Sequence, residues 1–171
     1  MPSATSLVDV PVDFQTYVAN EWAALHRFAY SVTGDNEAAK DAVQDALVHC
    51  YPRWARIASG NPAAYIRRSI VNAYIDAWRK TARMDAVTDI DDLVPPVSDG
   101  ADARANADLV WRLCARLPVR QRAALVLRYV EDRGYGEIAE ICQVTEQTAR
   151  SHVRHALAAI KANLSVRSTD V

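Results

Sequence analysis

The chain is short of the residues that build sheets, sites and anchors. It has only five glycines in 171 residues, and no alternating apolar–polar run of strand length occurs. Its three cysteines, Cys50, Cys114 and Cys142, are far apart, odd in number and without a CxxC pair. That spacing excludes a zinc-ribbon site and a disulfide framework. Each cysteine falls among apolar residues at helical spacing, where it serves as a small buried hydrophobe. The longest strongly apolar run, Ala123 to Leu127, is far too short to cross a membrane. Residues 1–13 carry neither the basic nor the apolar segment of a secretion signal, so a cytoplasmic protein without membrane insertion is expected. No glycine-rich phosphate loop, HExxH, G-x-S-x-G or convincing acid pair is present. No catalytic residues and no cofactor are therefore expected, and the chain does not read as an enzyme. His152 and His155 stand three apart but lack a third ligand at useful spacing, which argues against a metal site.

What is present is helix. Half the residues are hydrophobic, and alanine, leucine and arginine are abundant. The formal net charge of −1 conceals a strong segregation. Residues 53–83 hold seven basic residues and one acid, residues 85–108 seven acids and one base, and residues 112–133 six arginines and two acids. Two basic blocks thus flank an acidic stretch.

Residues 1–13 read as a loose tail. Phe14, Tyr17, Val18, Leu25, Phe28, Ala29 and Val32 then recur at helical spacing, and Gly34 supplies a stop. Asp35 or Asn36 can cap the next helix, whose apolar stripe is Ala39, Ala42, Val43, Ala46, Leu47 and Cys50. Asp41, Gln44, Asp45 and Val48 share a different face at i, i+3, i+4, i+7, and Pro52 marks the end. Asn61-Pro62 is a start signal for a helix to about Arg79. Its expected core face is Ile66, Ile70, Ala73 and Ala77, with Arg67, Arg68, Asn72 and Arg79 pointing elsewhere. Residues 81–104, with their aspartates and Pro95-Pro96, lose all periodicity and read as a flexible acidic linker between two domains, 14–80 and 105–164. Residues 165–171 are a C-terminal tail.

In the second domain Leu109, Val110, Leu113, Cys114 and Leu117 mark a helix ended by Pro118. The next carries Ala123, Val126, Leu127 and Val130 inward, with Arg120, Arg122 and Arg128 on other faces. A short helix from Tyr135 to Cys142, a turn over residues 143–146 and a helix to about Leu164 form a helix-turn-helix pattern. The expected buried stripe of the last helix is Ala149, Val153, Ala156, Leu157, Ile160 and Leu164. Such a second helix enters the major groove, and residues near its start reach base edges. Gln147, Thr148, Arg150, Ser151, Arg154 and His155, with His152 at the edge, are the candidates.

Several segments resemble extracytoplasmic-function (ECF) sigma factors of the sigma-70 family, of the sigma-E-like kind. Asp41-Ala42-Val43-Gln44-Asp45 is similar to the region 2.2 motif, and Ala64 to Asn72 resembles regions 2.3 and 2.4. Leu117 to Tyr129 resembles the start of region 4, and Tyr135 to Ile141 with Thr148-Ala149-Arg150-Ser151 resembles its helix-turn-helix. The resemblance spans residues 14–80 and 105–164 in the family's order. It implies an all-α fold of two small domains joined by the linker. It implies an alternative sigma factor that binds core RNA polymerase through the β′ clamp helices and the β subunit, and that initiates transcription at specific promoters. Asp41, Gln44, Asp45 and Val48 would then bind polymerase. Tyr65, Arg67, Arg68, Asn72, Trp78 and Arg79 would recognise and melt the minus-10 element, and the last helix would bind minus-35 duplex. An anti-sigma factor is an expected partner. The turn carries Cys142-Gln143 where the family often has glycine, and Ala149 and His152 also depart from its pattern. The chief alternative, a helix-turn-helix regulator acting without core polymerase, explains the last sixty residues but not the Asp41–Asp45 face or the basic helix after Asn61.

Overall fold

The computed structural model describes residues 12–82 and 107–169. Among them there are eight α-helices, one 3-10 turn and no strand. The linker therefore lies, from residue 83 on, outside the described residues.

The N-terminal bundle starts with α1 (Phe14–Thr33), which Asp13 caps by accepting the Thr16 N–H at 3.0 Å. The supposed tail is thus ordered at its end. Val12 also accepts the indole N–H of Trp54 at 3.0 Å, whose ring packs on Phe14 and Tyr17. Gly34, at φ 72°, ends α1 in the left-handed conformation that glycine adopts without strain. Asp35, not Asn36, caps α2 (Asn36–Cys50). The buried stripe of α2 is the expected one throughout. Its alanines leave room for close approach, and α2 lies between α1 and α4. Pro52 sits in a 3-10 turn (Tyr51–Arg53) leading into a short α3 (Trp54–Ala58), an element the sequence reading did not anticipate. Asn61 caps α4 (Pro62–Ala82), which runs two residues into the expected linker.

The C-terminal bundle contains α5 (Ala107–Ala115), α6 (Val119–Tyr129), α7 (Tyr135–Cys142) and α8 (Glu146–Thr169). Thr145 caps α8 through its hydroxyl. Gln143 at the turn takes φ 56°, so a non-glycine residue sits where glycine fits best, at a cost of roughly 1–2 kcal/mol. Helix α8 outruns the expected end at Leu164. It has 24 residues against 11 in α6. Leu157 and Leu164, assigned to the buried stripe, are exposed, whereas Ile160 of the same stripe packs against the core.

The two bundles pack against each other, α1 and α4 on one side and α6 and α7 on the other. This seam corrects several helix-face assignments. In α4 the core residues besides Ile66 and Ile70 are Ala64, Val71, Tyr74 and Ile75, while Ala73 is half-buried and Ala77 exposed. Two arginines placed on outer faces are buried instead, Arg67 at 3 % exposure and Arg122 at 2 %. Ala124 and Leu125 are buried because α6 is enclosed from both bundles, whereas Val130 beyond its end is exposed.

Arg122 shows how a buried cation is accommodated. It donates to the Val32 carbonyl at 2.7 Å, to Ala115 at 2.8 Å and to Leu117 at 3.2 Å. Val32 lies in the last turn of α1 and Ala115 ends α5, so two of the acceptors are helix-end carbonyls that lack an intrahelical partner. They carry the negative end of the helix dipoles. Tyr74 donates to the neighbouring Thr33 carbonyl. Burial pushes the Arg122 pKa below its ordinary value.

Candidate polymerase and nucleic-acid interfaces

On α2 the buried stripe fixes the orientation of everything else. Asp41, Gln44, Asp45 and Val48 all project into solvent on one face. Val48 is 69 % exposed, an apolar side chain held open beside two carboxylates. Tyr51 continues the same row one turn on and is 65 % exposed, its ring edge against Phe14 at 5.1 Å. The sequence reading omitted Tyr51. The signal was its spacing of three from Val48. An acidic strip ending in an apolar pair suits a basic partner surface with an apolar pocket.

The candidates on α4 are not brought together. Tyr65 is half-buried with the Arg68 guanidinium 4.6 Å above its ring. These two, with Arg56 and Asn61, line a small cleft that Glu140 of α7 also reaches. Arg56 was not anticipated; it belongs to α3, which was itself unforeseen. Arg79 is exposed, 3.8 Å from Asp76. Trp78 is half-buried edge-on to Tyr74, which makes it partly a core residue. Arg67 and Asn72 face the seam. Arg67 makes a bidentate pair with Glu131 at 2.6 and 3.0 Å and donates to the Ala63 carbonyl. Asn72 donates to the Gln143 side chain at 3.4 Å. The expectation that Arg67 projects outward is not met in this arrangement.

On α8, Gln147, Arg150, Arg154 and His155 are exposed on the side opposite Ala149, Val153 and Ala156. Thr148 and Ser151 are half-buried, and the Thr148 hydroxyl lies 2.9 Å from that of Thr145, tying it to the cap. His152 is buried, not at the edge of the outward face. Arg150 pairs with Glu146 at 2.6 Å and lies 4.2 Å above the Tyr135 ring. Arg128 approaches the same ring at 5.0 Å. Tyr135 thus holds two guanidiniums close to the start of α8, a role the sequence reading missed. At the start of α7, Glu137 accepts from the Gly134 N–H and from Arg133. The Gly134 hydrogen bond, then Arg133, holds its carboxyl below the usual range.

An exposed helix-turn-helix face, a basic helix and a separate acidic helix face define a two-domain, all-helical protein of a DNA-binding class. Among the described residues no helix is long and apolar enough to cross a membrane. The sigma-70 region 2 family matches residues 22–84, and sigma-70 region 4 matches residues 107–160. An RNA polymerase sigma-E factor of Streptomyces avermitilis is 31 % identical over 93 % of this chain and 89 % of its own length. The ECF RNA polymerase sigma factor SigM of Mycobacterium tuberculosis is 32 % identical over 86 % of this chain and 74 % of its own. A crystal structure of the sigma factor RpoE of Bartonella quintana, in complex with the anti-sigma factor NepR, is 25 % identical. It superposes with a TM-score of 0.65 over 90 % of this chain and 98 % of that one. The chain belongs to the extracytoplasmic-function sigma factors, which bind core RNA polymerase and direct it to promoters.

Proposed function

We infer that the three faces divide the work of initiation. The α2 face of Asp41, Gln44, Asp45 and Val48, extended by Tyr51, docks on the β′ clamp helices, and the β subunit receives the rest of the chain. Helix α4 binds the minus-10 element, with Tyr65 and Trp78 offering rings to an unstacked base and Arg67, Arg68, Asn72 and Arg79 holding the freed strand. Helix α8 reads minus-35 duplex through Gln147, Arg150 and Arg154, with Thr148, Ser151 and His155 at the phosphates. The units are those of the charge pattern, 14–80 and 105–164, joined by the acidic linker. The chain contributes no catalysis of its own; the chemistry belongs to polymerase. It acts in the cytoplasm, and an anti-sigma factor holds it inactive there, as its Bartonella relative is bound by one.

The observation that carries this reading is the simultaneous exposure of the α2 and α8 faces on one chain. A regulator acting alone needs only the second. Run-off transcription on genomic fragments with purified core polymerase tests it. Discrete promoter-specific transcripts are expected only when both chain and core are present. Absence of any specific transcript, or a gel shift on palindromic duplex that needs no core enzyme, defeats the reading.

A further inference from the structure

On the outward side of α8, Arg150 is exposed and yet held at two points. Its Nη2 donates to Glu146, one turn back, at 2.6 Å, and its guanidinium lies 4.2 Å above the Tyr135 ring. Tyr135 opens α7, the other helix of the helix-turn-helix, and is half-buried against the core. Arg128 of α6 donates to the Arg133 carbonyl at 3.1 Å and lies 5.0 Å from the same ring. The ring is therefore a fixed platform, whereas an arginine in solvent without one samples many rotamers. Glu146 takes one of the five guanidinium N–H donors, which leaves a fork for a base edge.

We propose that Tyr135 is a positioning residue for base readout: it sets the direction of the Arg150 fork, and through it the preference for one base pair of the minus-35 element. This rests on the reading of α8 as the minus-35 helix. A bidentate contact to the O6 and N7 of guanine depends on the angle of the guanidinium plane, a demand that a phosphate contact makes far less strictly. The ring acts through its face and not through its hydroxyl. It also removes much of the ordering that Arg150 would otherwise undergo on DNA.

The test uses holoenzyme, full chain with core polymerase, on a promoter found by run-off, with each minus-35 base pair substituted in turn. Arg150→Ala identifies the pair that Arg150 reads, as the position whose preference it abolishes; finding no such position overturns the proposal. Tyr135→Leu is expected to lower the preference at that pair by roughly 3- to 5-fold, the size expected of an exposed cation–π contact, and to leave the other pairs unchanged. Tyr135→Phe keeps the ring and the preference. Adding Tyr135→Leu to Arg150→Ala causes no further loss, because both act through one contact. An unchanged preference in Tyr135→Leu overturns the proposal, as does a loss spread evenly over the element. So does a loss in Tyr135→Phe as large as in Tyr135→Leu, and so do losses that multiply in the double variant. In the unmodified free chain, ring-current shifts of the Arg150 Cδ protons are expected by NMR. Unshifted protons there overturn the proposal whether or not Tyr135→Leu folds. Promoter-specific run-off by the unmodified chain is independent of these readouts, so failure of the positioning role and failure of the sigma-factor reading are separable.

Discussion

The α2 face and the α4–α6 seam are built from the same kinds of helix and handle charge in opposite ways. On α2 every charged side chain named at the outset stays in water, and every apolar one in the stripe goes inward. Its small residues need only neighbouring helices of the same bundle. In the seam, two arginines on helices of equally regular pattern are buried, one against a carboxylate and one against backbone carbonyls. The difference is one of partners at long range. A helix face reads as solvent-facing only when no second bundle lies against it. The open face is available to a partner as it stands, whereas the seam arginines already have their partners within the chain.

The largest effect is expected where the seam is deepest. Arg122→Ala leaves the Val32, Ala115 and Leu117 carbonyls without this donor and opens a cavity between α1 and α6. Loss of about 3 kcal/mol of unfolding free energy is expected from stranded acceptors of this kind. Urea unfolding followed by circular dichroism measures it. Arg79→Ala, on the exposed part of α4, should stay within about 0.5 kcal/mol. Equal losses at the two positions would mean that the seam contributes no more than the surface.

The open face gives the complementary case. Asp41→Lys with Asp45→Lys should leave stability within about 0.5 kcal/mol, since neither side chain is buried. Binding to core polymerase should weaken by roughly 30- to 100-fold, as expected when charges at a complementary interface are reversed. Titration of labelled chain with core enzyme reads this directly. Undiminished affinity would remove α2 from the polymerase interface.

How much of this was legible in advance follows from the range of the interactions. The stripe of α2, the caps Asp35 and Asn61 and the stop at Gly34 are decided within four residues, and each was readable from spacing. The helix-turn-helix was readable for the same reason. Helix α3 was hidden because Pro52 signals an end, although proline is equally at home in the first turn of a new helical segment. Arg67 was misplaced because its partner, Glu131, lies 64 residues away in the other bundle. Leu157 and Leu164 were placed inside because their period is right, yet the period cannot say where the neighbouring helices end. His152 was drawn to the surface by its polarity, whereas its register beside Val153 places it inward. Of the candidates, the exposure of those on α2 and of Gln147, Arg150, Arg154 and His155 on α8 needed only local pattern. Those on α4 depended on how the bundles pack.

The smallest expected effect compares the bundles once more, at their helix starts. Asp13 begins α1 and Glu137 serves the start of α7, and hydrogen bonds hold both carboxyls below their ordinary values. For Asp13 the cause is first the Thr16 hydroxyl, and for Glu137 first the Gly134 N–H. A carboxyl whose pKa is depressed on folding favours the native state above its unfolded pKa, roughly 4.3 for glutamate, and that contribution is lost as the pH falls through the folded value. Glu137 is largely in solvent, so its share is small, below about 0.5 kcal/mol after screening. Glu137→Gln should therefore lower stability slightly at neutral pH and converge with the parent below pH ~4. Urea midpoints of the two proteins across this range provide the measurement. A gap that widens with acid would reverse the sign and require Glu137 to be protonated in the native α7 start, which its position between the Gly134 N–H and Arg133 opposes.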